Sequence, residues 1–239
     1  YYAPMIFEQS GIGTNAAFMQ AVLVGVTNVV FTIFALLLID RLGRRVLLSA
    51  GLAGIALSML TLAYGFSTAT YQLDQAAIAA LPAEMNRPAL EALADSIYFS
   101  DLAFREAVSL ALGSEQFAAF QAQLTGAAIQ LNSVLILTAI LAFVASFAVS
   151  IGPVMWVLFS ELFPNRLRGK AISFAGLINS SIAFLVTFLF PWELETVGIA
   201  NTFLIYGLFA ACGVVFVIRL MPETKGRSLE QLERDLVEN

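Results

Sequence analysis

Apolar runs long enough to cross a bilayer recur along the chain, at about 16–39, 46–66, 131–159, 171–191 and 199–220. A hydrocarbon core about 30 Å thick takes roughly 20 helical residues. Inside it every backbone N–H and C=O has to be satisfied by the spanning segment itself, and runs of this length do that as helices. Composition agrees: 59% of the residues are hydrophobic, 12% are charged and the mean hydropathy is +0.85, against about 25% charged in an ordinary soluble domain. One soluble core of 239 residues cannot absorb so much apolar surface. The excess faces lipid, and the chain reads as an all-α integral membrane protein.

The separators between the runs carry the orientation. Arg41, Arg44 and Arg45 stand in the first, within LLLIDRLGRRVLLSAG. Arg166, Arg168 and Lys170 stand in the third, and Arg219, Lys225, Arg227 and Arg234 in the tail. These are ten of the twelve basic residues, and they fall in every second separator. Lys and Arg collect in cytoplasmic loops, so those three segments, the C-terminus among them, are expected on the cytoplasmic side of a cell membrane. The opening YYAPMIF is too short to span before Glu8, and it reads as the tail of a helix that begins upstream. The expected organisation is 1–70 for that tail and two spans, 71–126 for an insertion, 127–221 for three spans, and 222–239 for a cytoplasmic tail.

The insertion differs in kind. It carries seven acidic residues, Asp74, Glu84, Glu91, Asp95, Asp101, Glu106 and Glu115. Asn86 and Pro88 signal a helix start, with Leu90, Leu93, Ala94 and Ile97 following at helical spacing. Ser100 or Asp101 is placed to cap a second helix with Phe104, Val108 and Ala111 on one face, and Ser114 a third. The segment is expected to be helical and extracytoplasmic, either a plain surface elaboration or a lid or partner-binding surface.

A few polar residues lie within the spans. Asn28 is near the middle of the first; its amide serves either a helix–helix hydrogen bond or a polar cavity wall. In SIGPVMWVLFSELFP, Pro153 follows Gly152 inside an otherwise continuous helix. Proline removes a donor and crowds the preceding turn, so a kink is expected there. Trp156 comes one turn later, in mid-membrane. It suits stacking on a sugar ring or closing a gate, or simple packing. Asn179 lies early in the fourth run, with Ser180 and Ser181 beside it as candidates for close helix packing. Neutral amides at 28 and 179 suit hydroxyl groups, not phosphates or metal ions.

No cofactor or metal is expected. The chain has no histidine and one cysteine, Cys212, so the commonest metal ligand and proton shuttle is missing and no internal disulfide can form. No nucleophile–base set and no glycine-rich phosphate loop is present, which argues against an enzyme, and nothing in the chain suits nucleic acid.

IDRLGRR between two spans, GPVMWVLFSELFPNRLRGKA across the kinked span, and PETKGRSLE after the last span resemble the sugar porters of the major facilitator superfamily. YYAPMIF resembles the second half of their seventh helix. The resemblance covers nearly everything outside 71–126. It implies the C-terminal six-helix half of that fold, helices seven (in part) to twelve, with the N-terminal six-helix half as its missing partner. It implies transport of a monosaccharide by alternating access, as proton symport or facilitated diffusion.

The resemblance also assigns roles. Asn28, Trp156 and Asn179 correspond to sugar-contacting positions, and Tyr1 and Tyr2 to outer gate tyrosines. Ser180 stands where many relatives have tryptophan, which changes the expected pocket. Asp40, Arg41, Arg44 and Arg45, with Glu161, Arg168, Glu223 and Lys225, resemble an ion-pair network that latches the inner side, and Gly43 permits the tight turn within it. A transporter-like sugar sensor and a non-functional remnant are the alternatives.

Overall fold

The structure, a computed structural model, describes residues 14–82, 84–163, 167–221 and 224–225. Twelve elements follow in order. α1 (Thr14–Leu42) and α2 (Arg44–Ser67) lead to β1 (Thr70–Tyr71), α3 (Gln75–Ala80), α4 (Arg87–Glu91), α5 (Asp101–Leu112), α6 (Ser114–Ala128) and β2 (Ile129–Gln130). α7 (Ser133–Val149), α8 (Ile151–Leu162), α9 (Arg168–Thr196) and α10 (Ile199–Leu220) complete the chain. Five stretches among these helices are long and apolar enough to cross a membrane: Ala21–Leu42, Arg44–Ser67, Ser133–Glu161, Arg168–Thr196 and Ile199–Leu220. They coincide with the five apolar runs of the sequence. α9 extends past Pro191 to Thr196, beyond the run that stops at 191. Proline loses one backbone bond there, and the last turn is held by Val197 N–H to Glu193 O at 2.8 Å and Thr196 Oγ1 to Trp192 O at 2.7 Å.

The chain divides into two compact units. One is Tyr1–Leu23, Leu60–Ile140 and Trp192–Leu204; the other is Val24–Met59, Leu141–Pro191 and Ile205–Asn239. In the second, Ile39, Leu47, Leu48, Val154, Leu158 and Val217 form a buried cluster. Gly43 closes the turn between α1 and α2 at φ +91, a conformation a side chain would strain. Its N–H bonds Ile39 O and its carbonyl accepts from Leu47 N–H.

The first unit contains the insertion, which is helical as expected but built differently in detail. α4 is a single turn ending at Glu91, and Asp95 turns left-handed at φ +64. The helical spacing of Leu93, Ala94 and Ile97 is therefore not realised. α3, N-capped by Asp74 Oδ1 accepting from Ala77 N–H at 2.6 Å, was not foreseen. Ser100 occupies the N-cap of α5, while Gly113 rather than Ser114 occupies that of α6. β1 and β2 pair antiparallel, Thr70 opposite Gln130 and Tyr71 opposite Ile129, and clip the two ends of the insertion together. Tyr71 also exchanges both backbone hydrogen bonds with Tyr98, and its ring stacks on Phe104 at 5.5 Å.

Candidate functional site

Asn28 is exposed on α1, and its Oδ1 accepts from Thr32 Oγ1 at 3.2 Å. The bond lies within one helix, so the helix–helix bond considered for Asn28 is not made among the described residues. Its NH2 group has no partner there.

Trp156 is exposed on α8, edge-on to Phe159 at 6.1 Å. Its Cη2 lies 3.9 Å from where a Cβ on Gly176 would stand, so the indole rests against bare backbone of α9. Asn179 is exposed three residues along, on the same face as Gly176. Trp156 and Asn179 therefore border one strip of α9. No hydrogen bond among the described residues joins Asn28 to either. Ser180 and Ser181 are exposed, like almost all of α9, so the helix interface expected of them is not made among the described residues.

The kink falls earlier than Gly152-Pro153. α7 ends at Val149 and α8 begins at Ile151, with Ser150 between them at φ −128 and ψ −92. The cause is the proline ring, which excludes the carbonyl four residues back, here that of Val149. Pro153 itself sits in the first turn of α8, where its missing N–H has no intrahelical use. Ser150 N–H reaches Phe147 O at 3.2 Å, and Ser150 Oγ donates to Ser146 O at 2.6 Å.

The charged residues converge around Glu161. Arg44 Nη2 donates to Glu161 Oε1 at 2.6 Å and to Asp40 Oδ1 at 3.1 Å. Glu161 Oε2 accepts from Thr224 Oγ1 at 2.7 Å. Arg44 is largely buried, Glu161 partly and Asp40 hardly at all. Other expected members also bond backbone carbonyls. Arg45 donates to Ile218 O, Arg168 Nε to Phe163 O at 3.3 Å, and Lys225 Nζ to the carbonyl of Arg41. Arg41 thus contributes its backbone carbonyl to Lys225. Thr224 was missed, since one hydroxyl in PETKG carries no signal of its own. Tyr1, Tyr2 and Glu223 lie outside the described residues.

A buried polar group in the insertion was also missed. Asp101 Oδ2 accepts from Ile199 N–H at 3.3 Å at the start of α10 and pairs with Arg105 Nη2 at 3.7 Å. Both side chains are about nine-tenths buried.

A family model described as sugar (and other) transporter matches residues 1–82 and 96–236. The unmatched stretch, 83–95, is much narrower than the 71–126 segment set apart on charge. An arabinose-proton symporter of Bacillus subtilis is 30% identical over 234 residues, covering 98% of this chain and 38% of the relative. A facilitated glucose transporter, member 10 of solute carrier family 2 from Danio rerio, is 32% identical and covered over 44% of its length. Among solved structures, a proton:xylose symporter of the major facilitator superfamily, bound to 6-bromo-6-deoxy-D-glucose, superposes with a TM-score of 0.66 at 29% identity. That match covers 98% of this chain and 38% of the symporter. The chain spans less than half the length of these relatives.

Proposed function

The chain belongs to the family of sugar (and other) transporters, and from that membership we propose that it is the C-terminal half of a monosaccharide porter working by alternating access. The observation that carries the reading is the juxtaposition on α9. Trp156, an aromatic face on a broken span, rests at Gly176 one turn from the exposed amide of Asn179. A ring that stacks and an amide that both donates and accepts are what a neutral polyhydroxy ring requires. Asn28 supplies a second amide, and Tyr1 and Tyr2 the outer gate. Sites of this kind lie near the midplane between two structural repeats. The second wall then comes from an N-terminal six-helix half, in keeping with the share of the relatives that this chain spans.

Arg44, Glu161, Asp40 and Thr224 act as the inner latch. Their bonds favour one state of a two-state equilibrium and break in the other. The basic separators place the latch and the C-terminus in the cytoplasm. A cysteine at exposed Leu167 is then labelled by an impermeant maleimide only from that side; labelling from outside reverses the topology.

The deciding experiment is uptake of labelled D-xylose, arabinose and D-glucose into proteoliposomes, with and without a proton gradient. The full-length protein carrying this segment is expected to take up at least one of them, and these 239 residues alone none. Uptake by the isolated segment would overturn the half-site reading, and inert full-length protein would overturn transport.

A further inference from the structure

At Gly51 and Gly54, α2 lies hard against the end of α7 and Ser150. A Cβ on Gly51 would fall on Oγ and Cβ of Ser150 and lie 3.0 Å from Ser146 O. A Cβ on Gly54 would fall on Oγ of Ser146. Ser150 is fully buried, and it is the residue at which the span breaks. Its hydroxyl takes Ser146 O, the acceptor that a backbone N–H four residues on holds in an unbroken helix. The break is thus held from within by a hydroxyl and from outside by the bare backbone of Gly51.

Beyond the break, α8 behaves as a stiff lever. Val154 and Leu158 are locked into the buried cluster with Ile39, Leu47, Leu48 and Val217. Trp156 lies between them on the opposite, exposed side, roughly 9 Å from Ser150 at 1.5 Å per residue. Close packing transmits a shift at the root instead of absorbing it. A displaced Ser150 therefore changes the angle at which the indole meets Gly176 and the strip that bears Asn179.

We propose that Gly51 is a positioning residue for sugar recognition: its missing side chain seats Ser150, and that seat sets the attitude in which α8 presents Trp156. The proposal rests on Trp156 being the sugar-stacking residue. It differs from simple packing because the effect of Gly51 on affinity has to pass through Trp156.

The test is a double-mutant cycle read as equilibrium Kd for D-xylose, arabinose and D-glucose, using the full-length protein in detergent. Kd does not depend on how much protein inserts. Gly51→Ala is expected to raise Kd at least fivefold. Adding Ser150→Gly, which removes the two Ser150 atoms the new methyl meets, should bring Kd to within twofold of that of Ser150→Gly alone. Adding Ser150→Ala, which keeps the Cβ, should not. In a Trp156→Ala background, Gly51→Ala should change Kd less than twofold, because contacts sharing one element are not additive. An unchanged Kd in Gly51→Ala, or an undiminished effect without Trp156, overturns the proposal. If Gly51→Ala does not accumulate, Ser150→Gly alone serves. It unseats the break and should raise Kd at least threefold only when Trp156 is present; an unchanged Kd again overturns the idea. Wild-type protein that binds none of the three sugars is a different failure, that of the transport reading.

Discussion

Arg44 and Glu161, 117 residues apart in the chain, meet at 2.6 Å, and the same guanidinium nitrogen reaches Asp40 at 3.1 Å. The two carboxylates differ in weight. Asp40 is exposed, and an exposed pair contributes about 0–1 kcal/mol. Glu161 is partly buried against a largely buried arginine and takes a second bond from Thr224. Hydrogen bonds to charged groups contribute about 1.5–3 kcal/mol each. Glu161→Gln should therefore lower the unfolding free energy of the full-length protein by about that amount, with Asp40→Asn changing it by less than about 1 kcal/mol. Thr224→Val should fall between them. Chemical denaturation in micelles measures the order; equal effects at Asp40 and Glu161 would show that burial does not govern the network. Arg44→Lys is not a conservative change here, since an ammonium lacks the planar fork, and it should behave more like Glu161→Gln than like wild type.

The residues proposed to meet the sugar predict a different split. Asn28→Ala, Trp156→Ala and Asn179→Ala remove exposed side chains, so membrane insertion and thermal unfolding should stay near wild type. Sugar affinity should fall, with Trp156→Ala costing about 0.5–1.5 kcal/mol, up to roughly tenfold in Kd. Trp156→Phe should keep part of the stacking. Isothermal titration beside a melting curve separates the two readouts. Three variants with unchanged Kd would remove the site from this strip of α9.

The spans were legible because lipid imposes a length and a composition that one sequence displays directly. Gly43 was legible for a local reason too, a turn whose φ of +91 favours glycine. What stayed hidden depends on pairings across the chain. Nothing local marks Asp101 as the acceptor for Ile199 N–H, 98 residues on, or Thr224 as the partner of Glu161. β1 and β2 have two residues each, too few to show alternation. Pro153 signals a break in the turn before it, and which residue of that turn yields, Ser150, emerges only from the structure. Asn28 and Asn179 were legible as polar residues in apolar runs, whereas Gly176 became informative only once Trp156 was seen against it.

Asp101 and Arg105 set up a third expectation. The pair is buried, and one of its members also ties the insertion to the start of α10. Removing one partner of a buried pair leaves an uncompensated charge, a loss of about 3–5 kcal/mol. Asp101→Asn keeps the shape and an acceptor oxygen but strands Arg105, so the insertion should open while the spans remain folded. Limited proteolysis between 75 and 128 reads this directly. The double change Asp101→Leu with Arg105→Met removes both charges and should restore most of the protection, since apolar replacement of a buried pair is often neutral. Protection kept in Asp101→Asn but lost in the double variant would mean that the bond to Ile199, not the charge balance, holds the insertion.

Tyr71 yields a pH dependence of the same segment. Its ring is 1% exposed. Burial, foremost, and the nearby Asp101 carboxylate push its phenol well above the ordinary value of 10.0, with Arg105 pulling the other way. A group whose folded pKa is raised stabilises the fold fully below its unfolded pKa, and that contribution is lost as pH rises through the folded one. The insertion should therefore hold constant protection up to about pH 10 and lose it progressively above. Tyr71→Phe cannot ionise, so its profile should stay flat over the same range, apart from losses shared with other groups. Protease protection from pH 8 to 11.5 in wild type and Tyr71→Phe gives the comparison. A parallel ultraviolet titration should show one phenol failing to ionise until protection is gone. Tyrosinate absorbance from that phenol at pH 10 with the insertion still protected would show that Tyr71 is reached by water, contrary to its burial.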